Sequence, residues 1–140
     1  KIPEGNFVTP DGKILGRHKG IIHYTIGQRK GLGLSLGYPA FVLEIRPDTN
    51  EVVIGTNEDL MTTRVRANKL NFMTVEDLEG EMRVFAKIRY NHKGDWCTVR
   101  KTGEDEIECI FETPQRAVTP GQALVLYDGD YVLGGGTILG

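Results

Sequence analysis

Residues 83–90 set Val84, Ala86, Ile88 and Tyr90 alternately against Arg83, Phe85, Lys87 and Arg89. A two-residue period sends one set to each face of an extended strand. Nowhere does the chain sustain the longer apolar period of a helix. Strand-length runs recur instead, separated by turn chemistry. Segments 41–45 and 52–54 flank Pro47-Asp48-Thr49-Asn50, segments 96–101 and 106–111 flank Gly103, and segments 123–127 and 131–133 flank Asp128-Gly129. Each pair reads as a hairpin, and Asp-Gly is among the strongest hairpin signals. Thr74 and the three residues after it read as a capped helical turn, and residues 20–24 fit either a short helix or a strand.

The expected fold class is mainly β: a small glycine-rich β domain over residues 1–62, followed by strands at regular intervals over 63–140, as in a small antiparallel barrel or sandwich. The 140 residues suffice for two small domains. The chain opens at Lys1 rather than Met, as expected of a fragment or a processed product. Composition reads as a soluble globular protein, and no apolar run approaches the roughly 20 residues of a membrane helix, so no membrane partner is expected. Two cysteines, Cys97 and Cys109, are too few for a disulfide scaffold or a four-thiolate zinc site and suit a reducing, cytoplasmic setting.

A net charge of −2 argues against indiscriminate nucleic-acid binding. The distribution tells more, because basic islands at 1–50 and 86–101 stand in an otherwise acidic chain. Lys87, Arg89, His92, Lys93, Arg100 and Lys101 fall on one expected hairpin with Tyr90 and Trp96 between them. Cations beside aromatics suit a single-stranded RNA platform, in which charge meets phosphate and rings stack on bases. The plainer alternative is a solvated barrel face with both aromatics in the core. Thr119-Pro120-Gly121-Gln122 reads as a tight turn that presents the Gln122 amide.

GQRKGLG, residues 27–33, invites a phosphate reading but fits neither standard loop. Leu32 stands where a Walker loop needs Lys, and Leu36 where a dinucleotide fingerprint needs Gly. Two readings remain: Arg29 and Lys30 meet RNA or an acidic partner surface, or the glycines serve a structural turn. His18 and His23 lack the spacing of a helical zinc pair and read as surface or loop residues, with no metal site. Cys97 and Cys109, each six residues from Gly103, would face each other across a regular hairpin, as a redox pair or as two small apolar thiols.

Several segments together resemble one family. GRHKGIIHYTIGQRKGLG at 16–33, AKIRY at 86–90, AVTPGQALVLYDGD at 117–130 and LGGGTI at 133–138 look like the C-terminal portion of the tRNA-specific 2-thiouridylases, also named tRNA (5-methylaminomethyl-2-thiouridylate)-methyltransferases. The resemblance implies an ATP-dependent transferase that replaces the 2-oxygen of the wobble uridine of tRNA with sulfur. It also implies a central connecting β domain ahead of the barrel. In such enzymes an N-terminal domain, with ATP and magnesium, adenylates the base. A cysteine persulfide, charged by a cysteine desulfurase or a sulfur-relay protein, then delivers sulfur. The S-G-G-x-D-S loop and the catalytic cysteines of that domain are not among these residues, so no catalytic residue and no bound cofactor is expected here, and Cys97 and Cys109 correspond to neither catalytic cysteine. By the same resemblance Arg89, Tyr90 and Gln122 contact tRNA. From their charge and position alone, Lys87, Arg29 and Lys30 are expected as auxiliary contacts to RNA or to another domain. The competing expectation is a protein-interaction module for domain or sulfur-relay contacts, without direct RNA contact.

Overall fold

The computed structural model describes residues 3–73, 78 and 80–140. The expected helical turn at 74–77 lies outside the described residues. The chain divides into two compact units, Lys1–Met61 and Thr62–Gly140.

The first unit is a four-stranded sheet ordered β2-β1-β4-β3, built from β1 (Gly5–Val8), β2 (Ile14–His18), β3 (Phe41–Arg46) and β4 (Glu51–Gly55). The β3–β4 hairpin forms where the turn residues foretell it. Asn50 takes a left-handed conformation (φ 54°), which asparagine tolerates, and its N–H bonds the Pro47 carbonyl at 3.3 Å. β1 pairs antiparallel with β2 and parallel with β4. Phe7, Tyr24, Leu32, Val42, Val52 and Ile54 form the core. Residues 21–23 settle the earlier ambiguity as a single 3₁₀ turn.

His18 corrects the surface reading, being only 1% exposed. Its Nδ1 accepts the Gly20 N–H at 2.9 Å, which leaves Nε2 to donate to the Asn50 carbonyl at 2.8 Å. The ring also meets Phe7 and Tyr24 edge-on. With both ring nitrogens satisfied, burial costs the imidazole little.

The second unit is a closed barrel ordered β10-β5-β8-β7-β6-β9. Its strands are β5 (Met61–Asn71), β6 (Met82–Lys87), β7 (Asp95–Gly103), β8 (Glu106–Arg116), β9 (Ala123–Asp128) and β10 (Tyr131–Ile138). Closure removes the exposed edges that an open sheet would present. The interior takes the apolar set of the alternation, with Val84, Ala86, Val99, Ile107, Cys109 and Leu126 among its members. The three glycines of LGGG let β10 turn the corner: a Cβ on Gly135 would lie 2.0 Å from the Leu124 carbonyl oxygen.

Three expectations shift in detail. The β9–β10 register pairs Asp128 with Tyr131, so the tip is Gly129-Asp130, with Gly129 at φ 60° in the first central position. Glycine there suits a type II′ turn. In the β7–β8 hairpin, Cys97 pairs with Phe111 and Cys109 with Val99, so the cysteines are diagonal rather than opposite. The cause is that Glu104-Asp105 forms the tip while a bulge lies between Lys101 and Gly103. Both thiols are free and buried; contact with Cys97, then burial, pushes the Cys109 thiol well above its usual range. Finally, β6 ends at Lys87, so Arg89 and Tyr90 lie in the following turn rather than on the strand.

Candidate nucleic-acid interface

The antiparallel order of the barrel sorts its connections into two groups. The β6–β7 loop (88–94) and the β8–β9 loop (117–122) lie at one end, together with the C-terminal end of β10. Arg89, Tyr90 and Gln122 therefore share that end. The last register pair between β6 and β9, Lys87 with Val125, leads both chains toward it.

The β6–β7 loop is held by its own backbone. The His92 N–H bonds the Arg89 carbonyl at 3.1 Å, and the Ile88 N–H reaches His92 Nδ1 at 3.3 Å. Gly94, at φ 90°, then returns the chain to β7, where a Cβ would strike the Phe85 ring at 2.2 Å. This turn leaves Tyr90 90% exposed. An aromatic ring so fully presented contributes nothing to the barrel core and is free to stack. Arg89 points back toward β8, and its Nη2 donates to the Arg116 carbonyl at 3.0 Å. Burial first, and then the neighbouring Arg89 charge, hold the His92 imidazole below its ordinary 6.5.

Gln122 closes a turn whose residues dictate its type. Pro120 fixes the first central φ, Gly121 supplies φ 90° at the second, and the Gln122 N–H bonds the Thr119 carbonyl at 3.2 Å. The Gln122 backbone is locked against Ile138, whose N–H donates to the Gln122 carbonyl at 2.8 Å, while the residue itself is exposed. Lys87 is adjacent, with Nζ 5.4 Å from the centre of the Tyr127 ring.

The expected hairpin cluster of six basic residues divides in two. Lys87, Arg89, His92 and Lys93 belong to this end, whereas Arg100 and Lys101 lie toward the other end of β7. Five residues of strand separate Arg100 from Asp95, about 17 Å. Arg100 is moreover occupied, donating to Glu108 through Nε at 3.0 Å and Nη2 at 2.8 Å. Trp96 leaves the platform as well. It is half-exposed on the outer barrel face, with the Arg83 guanidinium 4.2 Å over its ring and Phe85 edge-on. The Arg116 carbonyl was not anticipated. Only the barrel closure that brings the end of β8 beside the β6–β7 loop reveals it.

The GQRKGLG segment belongs to the first unit and is braced from within. Gly27 N–H and the Gln28 carbonyl pair with Val42 at 2.7 and 2.9 Å, and the Gln28 side chain spans from the Thr25 N–H (3.0 Å) to the Lys30 carbonyl (2.9 Å). Leu32 is buried in the core, leaving Arg29 and Lys30 exposed. No helix follows the glycines, so their amides have no helix N-terminus to join, and the loop does not fit a nucleotide triphosphate. Among the described residues no three His, Cys, Asp or Glu side chains group as a metal site, and no helix is long and apolar enough to cross a membrane.

Residues 62–138 match the family described as the aminomethyltransferase β-barrel domain, and residues 1–56 match the tRNA methyl transferase PRC-barrel domain. The chain is 68% identical over 139 residues to the tRNA-specific 2-thiouridylase MnmA of Lachnoclostridium phytofermentans. It is 53% identical over 134 residues to the protein of that name from Koribacter versatilis, and 51% over 138 residues to that from Clostridioides difficile. These alignments cover 99%, 96% and 99% of this chain but 39%, 36% and 38% of the relatives. The chain thus spans about two-fifths of the length of the curated relatives it matches.

Proposed function

Because this chain belongs to the tRNA-specific 2-thiouridylase family, we propose that it is the part of such an enzyme that grips tRNA while the wobble uridine is thiolated elsewhere in the same protein. The observation that carries this reading is Tyr90, 90% exposed beside Arg89 on a hydrogen-bonded turn. Arg89 contacts phosphate or sugar, Tyr90 stacks on a base or hydrogen-bonds through its hydroxyl, and Gln122 hydrogen-bonds near the backbone from the second loop of that end. Lys87 adds charge. Arg29 and Lys30 serve as auxiliary contacts to RNA or to another domain.

In this reading the hydrogen-bonded loops set how far the RNA lies from the reacting centre, which is a positioning contribution. ATP with magnesium activates the uracil carbonyl in the remainder of the enzyme. A cysteine desulfurase or relay protein supplies sulfur there, in a cytoplasmic setting. No residue of this chain takes part in those steps.

The test is tRNA binding by the full-length enzyme over a salt series, comparing wild type with Arg89→Ala, Tyr90→Ala and Gln122→Ala. Each change is expected to weaken binding by about 1–3 kcal/mol. Unchanged affinity and salt slope in all three would instead favour a module for protein contacts.

A further inference from the structure

The other end of the barrel has the opposite character. The β7–β8 and β9–β10 tips, the end of β5 and the start of β6 lie there, and the Asp105 carboxylate of the β7–β8 tip accepts the Leu70 N–H of β5 at 3.1 Å. Apolar side chains stand exposed around this mouth: Phe72 at 89%, Tyr131 at 79% and Val132 at 53%. Phe72 is held at φ 60°, a conformation that bulky residues avoid. Between Phe72, Met73, Met82 and Leu133 opens a cavity of about 260 Å³ floored by Val84 and Leu126. A space of that size takes one or two apolar side chains and sits at the small end of small-molecule pockets, which run from about 300 Å³ upward.

Charge selects among occupants. Glu81, Glu104, Asp105, Asp128 and Asp130 are all exposed around the mouth, against Lys69 and Lys101 on its flanks. An acidic rim repels a phosphate backbone, so the occupant is not nucleic acid. It attracts lysine and arginine, and fixes the register of a partner that carries them.

We infer that this mouth is a docking site for a basic segment of a protein partner, which inserts an aliphatic side chain between Phe72 and Leu133 while its flanking cations meet Asp128, Asp130 and Asp105. The site lies at the opposite end from Arg89 and Gln122, so it stands or falls independently of the tRNA reading.

The test uses the hexapeptide KRLLKR and its counterpart KRSSKR, titrated into the 140-residue chain with methyl-labelled Met, Leu and Ile observed by NMR. KRLLKR is expected to shift Met82, Leu126 and Leu133 and to leave Ile88 in place. KRSSKR should bind about tenfold more weakly, as should KRLLKR to the Asp128→Asn/Asp130→Asn variant. Both substituted positions are exposed, and dispersion of the remaining methyl signals confirms that the variant folds. Silence of the three methyls at millimolar KRLLKR, or equal binding of the two peptides, overturns the site. An oligouridylate that shifts the same methyls overturns the assignment to protein.

Discussion

Arg89 donates from Nη2 to the Arg116 carbonyl oxygen at 3.0 Å, so the β6–β7 loop is tied to the end of β8 by an arginine. Arg89→Lys separates geometry from charge. Lysine keeps the cation but cannot bond the carbonyl and a phosphate in one planar fork. Full-length enzyme carrying Arg89→Lys should bind tRNA about threefold to tenfold more weakly with an unchanged salt slope. Arg89→Ala should also lower the slope by about one. Fluorescence anisotropy across a salt series distinguishes the two. An equal slope for both variants would remove phosphate contact from Arg89.

His92 makes the same loop sensitive to pH. Burial and the Arg89 charge depress its folded pKa below the ordinary 6.5, so the unfolded chain takes the proton first as pH falls. The contribution to stability is intact above 6.5 and declines as pH drops from 6.5 toward the folded midpoint. Protonation also removes the Nδ1 lone pair that accepts the Ile88 N–H. An NMR titration should place the His92 midpoint below 6.5, with the Ile88 amide shifting in step. A midpoint at or above 6.5 would contradict the burial argument.

Glu108 lies on the outer barrel face, yet its side chain is only 3% exposed because Arg64 and Arg100 both bond it. The hydrogen bond from Arg64 leads in holding this carboxyl below its usual value, opposed by burial and aided by Arg100. Its contribution is therefore present above about pH 4.5 and is lost as pH falls through the folded value. Glu108→Gln should destabilise the barrel by about 1–3 kcal/mol at neutral pH, a modest cost because both arginines still reach water. Urea titrations from pH 7 downward should show the gap between wild type and variant narrowing below pH 4.5. A gap that persists at low pH would point to packing rather than to charge.

What the sequence discloses depends on how local the deciding contact is. The hairpin around Pro47–Asn50 is legible because four consecutive residues specify the turn, and the TPGQ turn follows from Pro120 and Gly121 alone. Asp128-Gly129 marks the right hairpin, yet its register slips by one residue because the pairing of Tyr131 with Asp128 decides the tip. The bulge that makes Cys97 and Cys109 diagonal leaves no signature around Gly103. Arg100 looks like a neighbour of Arg89 along the chain, whereas its strand carries it away to Glu108. The separation of a basic end from an acidic, apolar mouth emerges only when six strands close, since it collects residues from Phe72 to Val132.

His18 shows the same limit and permits a direct measurement. Its partner Asn50 is 32 residues away, so nothing near it in sequence distinguishes a core histidine from a surface one. His18→Phe retains an aromatic ring against Phe7 and Tyr24 but leaves the Gly20 N–H and the Asn50 carbonyl without their partner. Each orphaned backbone group costs about 1–3 kcal/mol when buried. The Asn50 end borders solvent, so the expected total is roughly 2 kcal/mol. For a unit of about sixty residues that corresponds to a fall in melting temperature of roughly 8–16 °C. The barrel transition should stay where it is in the same calorimetric scan. A His18→Phe protein that melts like wild type would show that ring packing, rather than the two hydrogen bonds, holds this corner of the sheet.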